Sequence, residues 1–300
     1  MRICSLLPSA TETVYALGLG DQLAGVSHEC DVPPDALRKP RVLRTTLERS
    51  HRSSADIDAA VRRTLSRGEP LFALDEEALR RAQPDLIITQ ELCDVCAIGA
   101  PDVIRLARAL ATPPRILSLH PHTLEEVLGD IRAIGEAIGC VGEAERLIAR
   151  SRQRLARVRA LVAGAPRPAV FCLEWLQPPM AAGHWVPEMV ACAGGREILG
   201  RSAERSRYVT WEEVAAGAPE VLVVMPCGVS PECARRELAL WANQPWWSRL
   251  PAVRSGRVHL VDGSAYFNRP GPRLIDGIEL LAGLLHPGLQ LLESRHLRVQ

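Results

Sequence analysis

The chain reads as an α/β protein of two lobes, each built on a mainly parallel sheet and joined by one long helix. Three observations predict this. Short apolar, β-rich runs alternate with longer amphipathic ones through the first half, the pattern of βα units feeding a parallel sheet. A stretch around 142–163 keeps its apolar positions near a 3.6-residue period with arginines on the other side, so it forms one helix. Beyond it the strand-then-helix pattern starts afresh. The expected divisions are an N-terminal lobe over 1–139, the bridging helix over 140–166, a C-terminal lobe over 167–287 and a peripheral tail over 288–300.

In the first lobe, strands are expected at Arg2 to Leu6, Leu23 to Val26, Leu86 to Thr89 and Arg115 to Leu119. Ser9-Ala10-Thr11-Glu12 and Thr123-Leu124-Glu125-Glu126 have the hydroxyl and the carboxylate three residues on that a capping box needs, so each predicts a helix start. Gly18 and Gly20 end the first of these helices, and Asp56 to Leu65 and Asp75 to Ala82 read as two shorter ones. In the second lobe, strands are expected at Ala169 to Leu173, Val221 to Met225 and Val258 to Val261. Helices are expected from Val186 to Cys192, closed by Gly194-Gly195, after the capping box Thr210-Trp211-Glu212-Glu213, and after Pro272.

Composition narrows the function. Thirty-six Lys and Arg against thirty-five Asp and Glu leave a net charge of +1, which offers no footprint for nucleic acid and no polybasic handle for a membrane. Lys39 is the only lysine, which argues against phosphate loops of the Gly-Lys-Ser/Thr type and against Schiff-base chemistry. No apolar run reaches the roughly 20 residues needed to span a bilayer. The amino terminus runs directly into a strand without the apolar stretch of a secretory signal, which predicts a cytoplasmic location. Nine cysteines, an odd number scattered along the chain, then read as thiols. No nucleophile elbow, Ser-His-Asp order or dinucleotide fingerprint is present.

The chemistry-bearing residues stand just past expected strand ends, where parallel α/β sheets place their ligands. They are His28-Glu29-Cys30, Cys93-x-x-Cys96, Glu174 and His184. Two thiolates at the Cys93/Cys96 spacing can share a metal or form a redox disulfide. Cys30, Cys93, Cys96 and His184 together make an acceptable tetrahedral set for zinc, and three thiolates with an open position suit iron or an iron-sulfur cluster. His28 reads either as a further ligand or as a strand-end imidazole bonded to backbone. Glu29 and Glu174 read as orienting or proton-transfer groups, or as helix-capping and loop-solvating carboxylates.

The segments Leu6-Leu7-Pro8-Ser9-Ala10-Thr11-Glu12, Tyr15-Ala16-Leu17-Gly18 and Pro251-Ala252-Val253-Arg254-Ser255-Gly256-Arg257-Val258, set in this architecture, resemble the periplasmic binding proteins of the iron-siderophore and cobalamin ABC-transporter type. His28-Glu29-Cys30-Asp31-Val32-Pro33, Leu92-Cys93-Asp94-Val95-Cys96, Glu174-Trp175-Leu176, Ala182-Gly183-His184-Trp185-Val186-Pro187-Glu188 and Arg269-Pro270-Gly271-Pro272-Arg273 are similar to a subgroup labelled cobalamin-binding proteins. The resemblance implies two Rossmann-like lobes bridged by a rigid helix, with the ligand between them. In that setting Trp175, Trp185 and Tyr266 can wall a flat ligand such as a corrin, and Arg269 can grip its carboxylate or phosphate. Core packing and an ion pair are the alternative roles.

The leading expectation is therefore a non-catalytic binding protein for cobalamin, another corrinoid or a related metal chelate, with His28, Glu29, Glu174, Trp175, Trp185, Tyr266 and Arg269 at the ligand. The rival is a metal-dependent enzyme or metal-handling protein using the Cys/His set in the same cleft. The missing export signal argues against an ABC permease as partner.

Overall fold

The computed structural model describes residues 1–47, 53–90, 100–108, 110–288 and 297–298. The chain divides into two compact units: Met1–Ser50 with Ala59–Pro121 and Glu125–Arg150, and His51–Asp58 with His122–Leu124 and Ser151–Gln300.

The first unit is laid down by β1 (Ile3–Ser5), α1 (Pro8–Ala16), β2 (Leu23–Ser27), β3 (Arg41–Thr45), α2 (Ser54–Ser66) from Ala59 onward, β4 (Phe72–Leu74), α3 (Glu76–Ala82), β5 (Leu86–Gln90), α4 (Ala100–Arg108), β6 (Arg115–Leu119), α5 (Leu124–Ile138) from Glu125 onward and the first part of α6 (Val141–Val162). Its sheet runs in the order β4-β3-β2-β1-β5-β6, parallel except for β4, which lies antiparallel to β3. The interior strands β1 and β5 are buried along their whole length, as strands covered on both faces should be. Ile3, Cys4 and Ser5 pair with Leu86, Ile87 and Ile88. The strands β3 and β4 escape sequence reading, since Arg41-Val42-Leu43-Arg44-Thr45 holds only two consecutive apolar residues and β4 has three residues in all.

The first helix starts earlier than its expected capping box. Pro8 is already helical, Leu7 is the extended residue before it, and no side chain caps the end. Proline's fixed φ and missing N–H suit the first helical position, so it sets the start. That buries Ser9, Thr11 and Glu12 inside the helix. The freed Thr11 hydroxyl then donates to Ser5 Oγ at 2.9 Å.

Ile3, Leu7, Val14, Ile131, Ile134 and Ile148 lie in one core between the sheet, α1, α5 and the start of α6. Each such side chain contributes about 2 kcal/mol of transfer free energy when taken out of water. The packing of α5 on α6 needs Gly135, because a Cβ there would stand 2.5 Å from that of Ala144. Elsewhere on α5, Asp130 Oδ2 is buried without a hydrogen-bond partner. Burial and the neighbouring Glu126 carboxylate push the Asp130 carboxyl up to about 7.

The second unit takes α6 from Ser151 onward, then β7 (Ala169–Trp175), β8 (Met180–Ala181), α7 (Val186–Cys192), β9 (Arg196–Glu197), β10 (Arg207–Tyr208), α8 (Trp211–Gly217), β11 (Val221–Val224), α9 (Pro231–Trp241), α10 (Pro251–Arg254), β12 (Val258–Leu260), α11 (Gly263–Tyr266), α12 (Leu274–Leu285) and β13 (Leu297–Arg298). The sheet order is β10-β8-β7-β11-β12-β13, with β9 beside β7. The core strands β7, β11 and β12 are parallel, while β8, β10 and β13 join antiparallel.

Three features fix this unit. The capping box at Thr210 forms as expected: its hydroxyl accepts from the Glu213 N–H at 3.2 Å, and the Glu213 carboxylate accepts from the Thr210 N–H at 2.8 Å. Arg154 on α6 grips Asp276 and Glu279 on α12, both at 2.6 Å. The third is Glu197, whose carboxylate accepts the N–H groups of Cys172, Ile198, Leu199 and Gly200 at 3.0 to 3.2 Å. Burial raises its pKa, with those donors pulling the other way. On the same unit four indoles form a nest, Trp246 stacked on Trp211 at 4.2 Å with Trp241 and Trp247 packed against both.

Candidate functional site

In the first unit, His28 and Glu29 follow the end of β2. Arg41 shapes their loop by donating to the carbonyls of Ser27 at 2.5 Å and Cys30 at 2.9 Å. Both side chains are half-buried, and His28 Nε2 lies 3.8 Å from Glu29 Oε1. The other ring nitrogen, Nδ1, is 3.4 Å from the Ser27 hydroxyl. Cys30, expected as a metal ligand in this loop, is instead wholly buried among the core residues around Ile3 and Val26. Its sulfur sits 3.1 Å from the Thr11 hydroxyl, a polar contact available inside the core. Cys93 and Cys96 lie outside the described residues.

In the second unit, Glu174 and Trp175 end β7. Ser206 donates to the Glu174 carboxylate at 2.5 Å and accepts from the Gly183 N–H at 3.1 Å, so one hydroxyl ties the strand end to the His184 loop. Trp175 is half-buried with its indole N–H on the Gln177 carbonyl at 3.2 Å. Trp185 is only 4 % exposed, and its indole N–H is spent on the Phe267 carbonyl at 2.7 Å. The structure therefore gives it a packing position, where an open aromatic wall was expected. Tyr266 and Arg269 are half-buried in the segment leading to α12, and the Tyr266 ring packs edge-on to Phe267 at 6.4 Å.

His184 adopts a left-handed backbone with φ of 53°, held by its N–H on the Glu204 carbonyl at 2.6 Å. Its imidazole lies 5.5 Å from the rings of both His122 and Trp185, and its Nδ1 is buried with no hydrogen-bond partner. Burial, His122 and Arg205 together lower its pKa to about 4. Sequence reading passed over His122. The available signal was position alone, because it stands three residues past the end of β6, at another carboxyl strand end. Among the described residues, no three of His, Cys, Asp and Glu gather to hold one metal ion.

Gly183 is required by this loop. A Cβ there would run into the backbone of Glu204, Arg205 and Ser206. Gly183→Ala is expected to displace the His184 loop and destabilise the second unit by about 2 kcal/mol, as overpacking of a filled site does. Urea denaturation followed by tryptophan emission checks this, and an unchanged midpoint would show that the loop can yield.

Parallel α/β sheets that carry polar and aromatic side chains at their strand ends have the layout of ligand-binding proteins. The chain belongs to the periplasmic binding protein family, whose model matches residues 3–265. It is 28% identical over 281 residues to the vitamin B12-binding protein of Vibrio cholerae serotype O1, covering 93% of this chain and 86% of that one. A Bacillus subtilis relative, the uncharacterized ABC transporter substrate-binding lipoprotein YvrC, is 25% identical over 295 residues, covering 95% of this chain and 80% of the relative. The crystal structure of the periplasmic vitamin B12-binding protein BtuF of Vibrio cholerae aligns with a TM-score of 0.69 at 26% identity, over 95% of this chain and 96% of that one.

These relatives overturn the expected cytoplasmic location, since the family is periplasmic by description and the relatives include a periplasmic protein and a lipoprotein. The argument against an ABC permease partner, drawn like that location from the missing export signal, falls with it. The zinc and iron-sulfur readings, and the enzyme that went with them, find no support in these relatives.

Proposed function

We propose that this chain is the substrate-binding protein of an ABC transporter and that its ligand is a corrinoid or a closely related flat metal chelate. The match to the vitamin B12-binding protein along nearly the whole chain carries the reading. Two features agree with it. Trp175, the last residue of β7, and Tyr266, the last of the short helix α11, stay half-buried on the second unit, where an aromatic face can lie against a macrocycle. Glu174 and Arg269, on the same unit, supply polar groups for amide, carboxylate or phosphate substituents. The protein delivers its ligand to a membrane permease and performs no chemistry on it.

Titration with cyanocobalamin and aquocobalamin, followed by absorbance and calorimetry, tests this. One equivalent of ligand is expected to bind, with quenching of the Trp175 contribution to emission. Trp175→Ala should weaken binding by about tenfold, the worth of one aromatic contact. Absence of heat and of spectral change at high micromolar corrinoid would sink the assignment. Hemin, titrated in parallel, reports whether another flat chelate is preferred.

A further inference from the structure

The second unit holds two imidazoles that the corrinoid reading does not use as a pair. His122 precedes α5, and His184 comes from the loop before α7. Their ring centroids are 5.5 Å apart and their planes are tilted by 33°. Two imidazoles on one tetrahedral cation, with metal–nitrogen bonds of about 2.0 Å, bring their ring centroids to roughly 5.2 Å. The observed spacing is a few tenths of an ångström from that figure. His184 Nδ1 is also buried and makes no hydrogen bond, an unmet polar atom of the kind a native structure keeps for a reason. Gly183 and the Glu204 carbonyl fix the backbone that presents this ring, so its position is built into the loop.

We propose that His122 and His184 together bind one divalent transition-metal cation, zinc or copper(II), with solvent completing the coordination. The neighbouring groups set its selectivity. The Glu188 carboxylate is already committed, one oxygen to the Leu124 N–H at 2.9 Å and the other to the Ser202 hydroxyl at 2.8 Å, so it adds no third ligand. Arg205 places a positive charge in range of His184. Calcium and magnesium, which want hard oxygen ligands, gain nothing at such a place, whereas copper(II) and zinc form bonds to imidazole nitrogen strong enough to tolerate that charge. The site is independent of the corrinoid reading, because the cation is held directly by side chains.

Tag-free protein carrying Cys93→Ser, Cys96→Ser, Cys227→Ser and Cys233→Ser, which removes the Cys93/Cys96 pair and the two partly exposed thiols, is titrated with copper(II) under electron paramagnetic resonance. One equivalent should bind with superhyperfine splitting from two nitrogens. His122→Gln and His184→Gln should each weaken binding by more than the roughly tenfold that losing an outer-shell partner costs. The unsubstituted protein, labelled at histidine and titrated with zinc, gives a second readout that requires no variant to fold. Its His122 and His184 ring resonances should shift together. Copper bound without a nitrogen pair, affinity unchanged in both variants, or zinc that leaves both ring signals in place would each overturn the proposal.

Discussion

Glu197→Ala is expected to lower the stability of the second unit by about 4 kcal/mol, the largest effect of any single substitution considered. The carboxylate accepts four backbone N–H groups, from Cys172 in β7 and from Ile198, Leu199 and Gly200 in the turn after β9. Alanine takes the carboxylate acceptor from the Cys172, Leu199 and Gly200 N–H groups, while the Ile198 N–H keeps the Val170 carbonyl at 3.0 Å, and each unpaired group costs about 1–3 kcal/mol before the chain relaxes. Relaxation recovers part of the sum, which places the net cost within the roughly 3–5 kcal/mol typical of breaking a buried charged network. The Cys172 donor belongs to the central part of β7, so the damage reaches the sheet and is not confined to the turn. Chemical denaturation of wild type and variant side by side measures the difference. A shift below about 1 kcal/mol would mean that solvent reaches the unpaired donors, and the account of Glu197 as a clamp would fail.

Asp130 should make the first unit less stable as pH rises, opposite to the usual behaviour of a carboxylate. Its ordinary value is 3.8, and burial beside Glu126 raises it to about 7 in the folded chain. Between those values the folded unit keeps a proton that the unfolded chain releases. Stability is therefore fullest below the unfolded value, declines as pH climbs toward 7 and levels off above it. Three pKa units correspond to about 4 kcal/mol, and partial solvation reduces the expected loss to about 2–4 kcal/mol. Asp130→Asn should flatten the profile and leave the variant more stable than wild type at pH 8. Denaturation monitored by far-ultraviolet circular dichroism at pH 4.5, 6 and 8 gives both curves. Parallel curves for the two proteins would remove Asp130 as the cause.

The alternation of apolar runs and amphipathic stretches marked the central strands because their chemistry is local. β11 is an unbroken apolar segment, β5 opens on three apolar residues in a row, and Thr210 carries its capping partner three residues away. What escaped depends on neighbours distant in the chain. The two-residue strands β8, β9 and β10 exist only because β7 or one another offers a free edge. At Pro8 the failure was local, a choice between two start signals that proline's fixed backbone decides.

The site divides in the same way. Sequence position marked His28, Glu29, Glu174 and His184 as strand-end residues: the first two follow β2 and Glu174 lies at the end of β7, whereas His184 comes after β8, a returning strand the sequence did not reveal. Whether a side chain faces solvent or core follows from packing, which is why Cys30 and Trp185 lie buried where open positions were expected. His122 gained interest only when folding set it beside a histidine far along the sequence.

All six tryptophans fall between Trp175 and Trp247, within the second unit, and four of them form the nest around Trp211. The first unit has none. The protein is thus optically asymmetric: indole emission, and the exciton couplet that stacked indoles produce, report on one unit alone. An unfolding transition in the first unit would pass silently in fluorescence while registering in the amide region of the circular dichroism spectrum. Recording both signals through one denaturant series would separate the two units' transitions without labels, and a gap between the two midpoints would show that they melt independently.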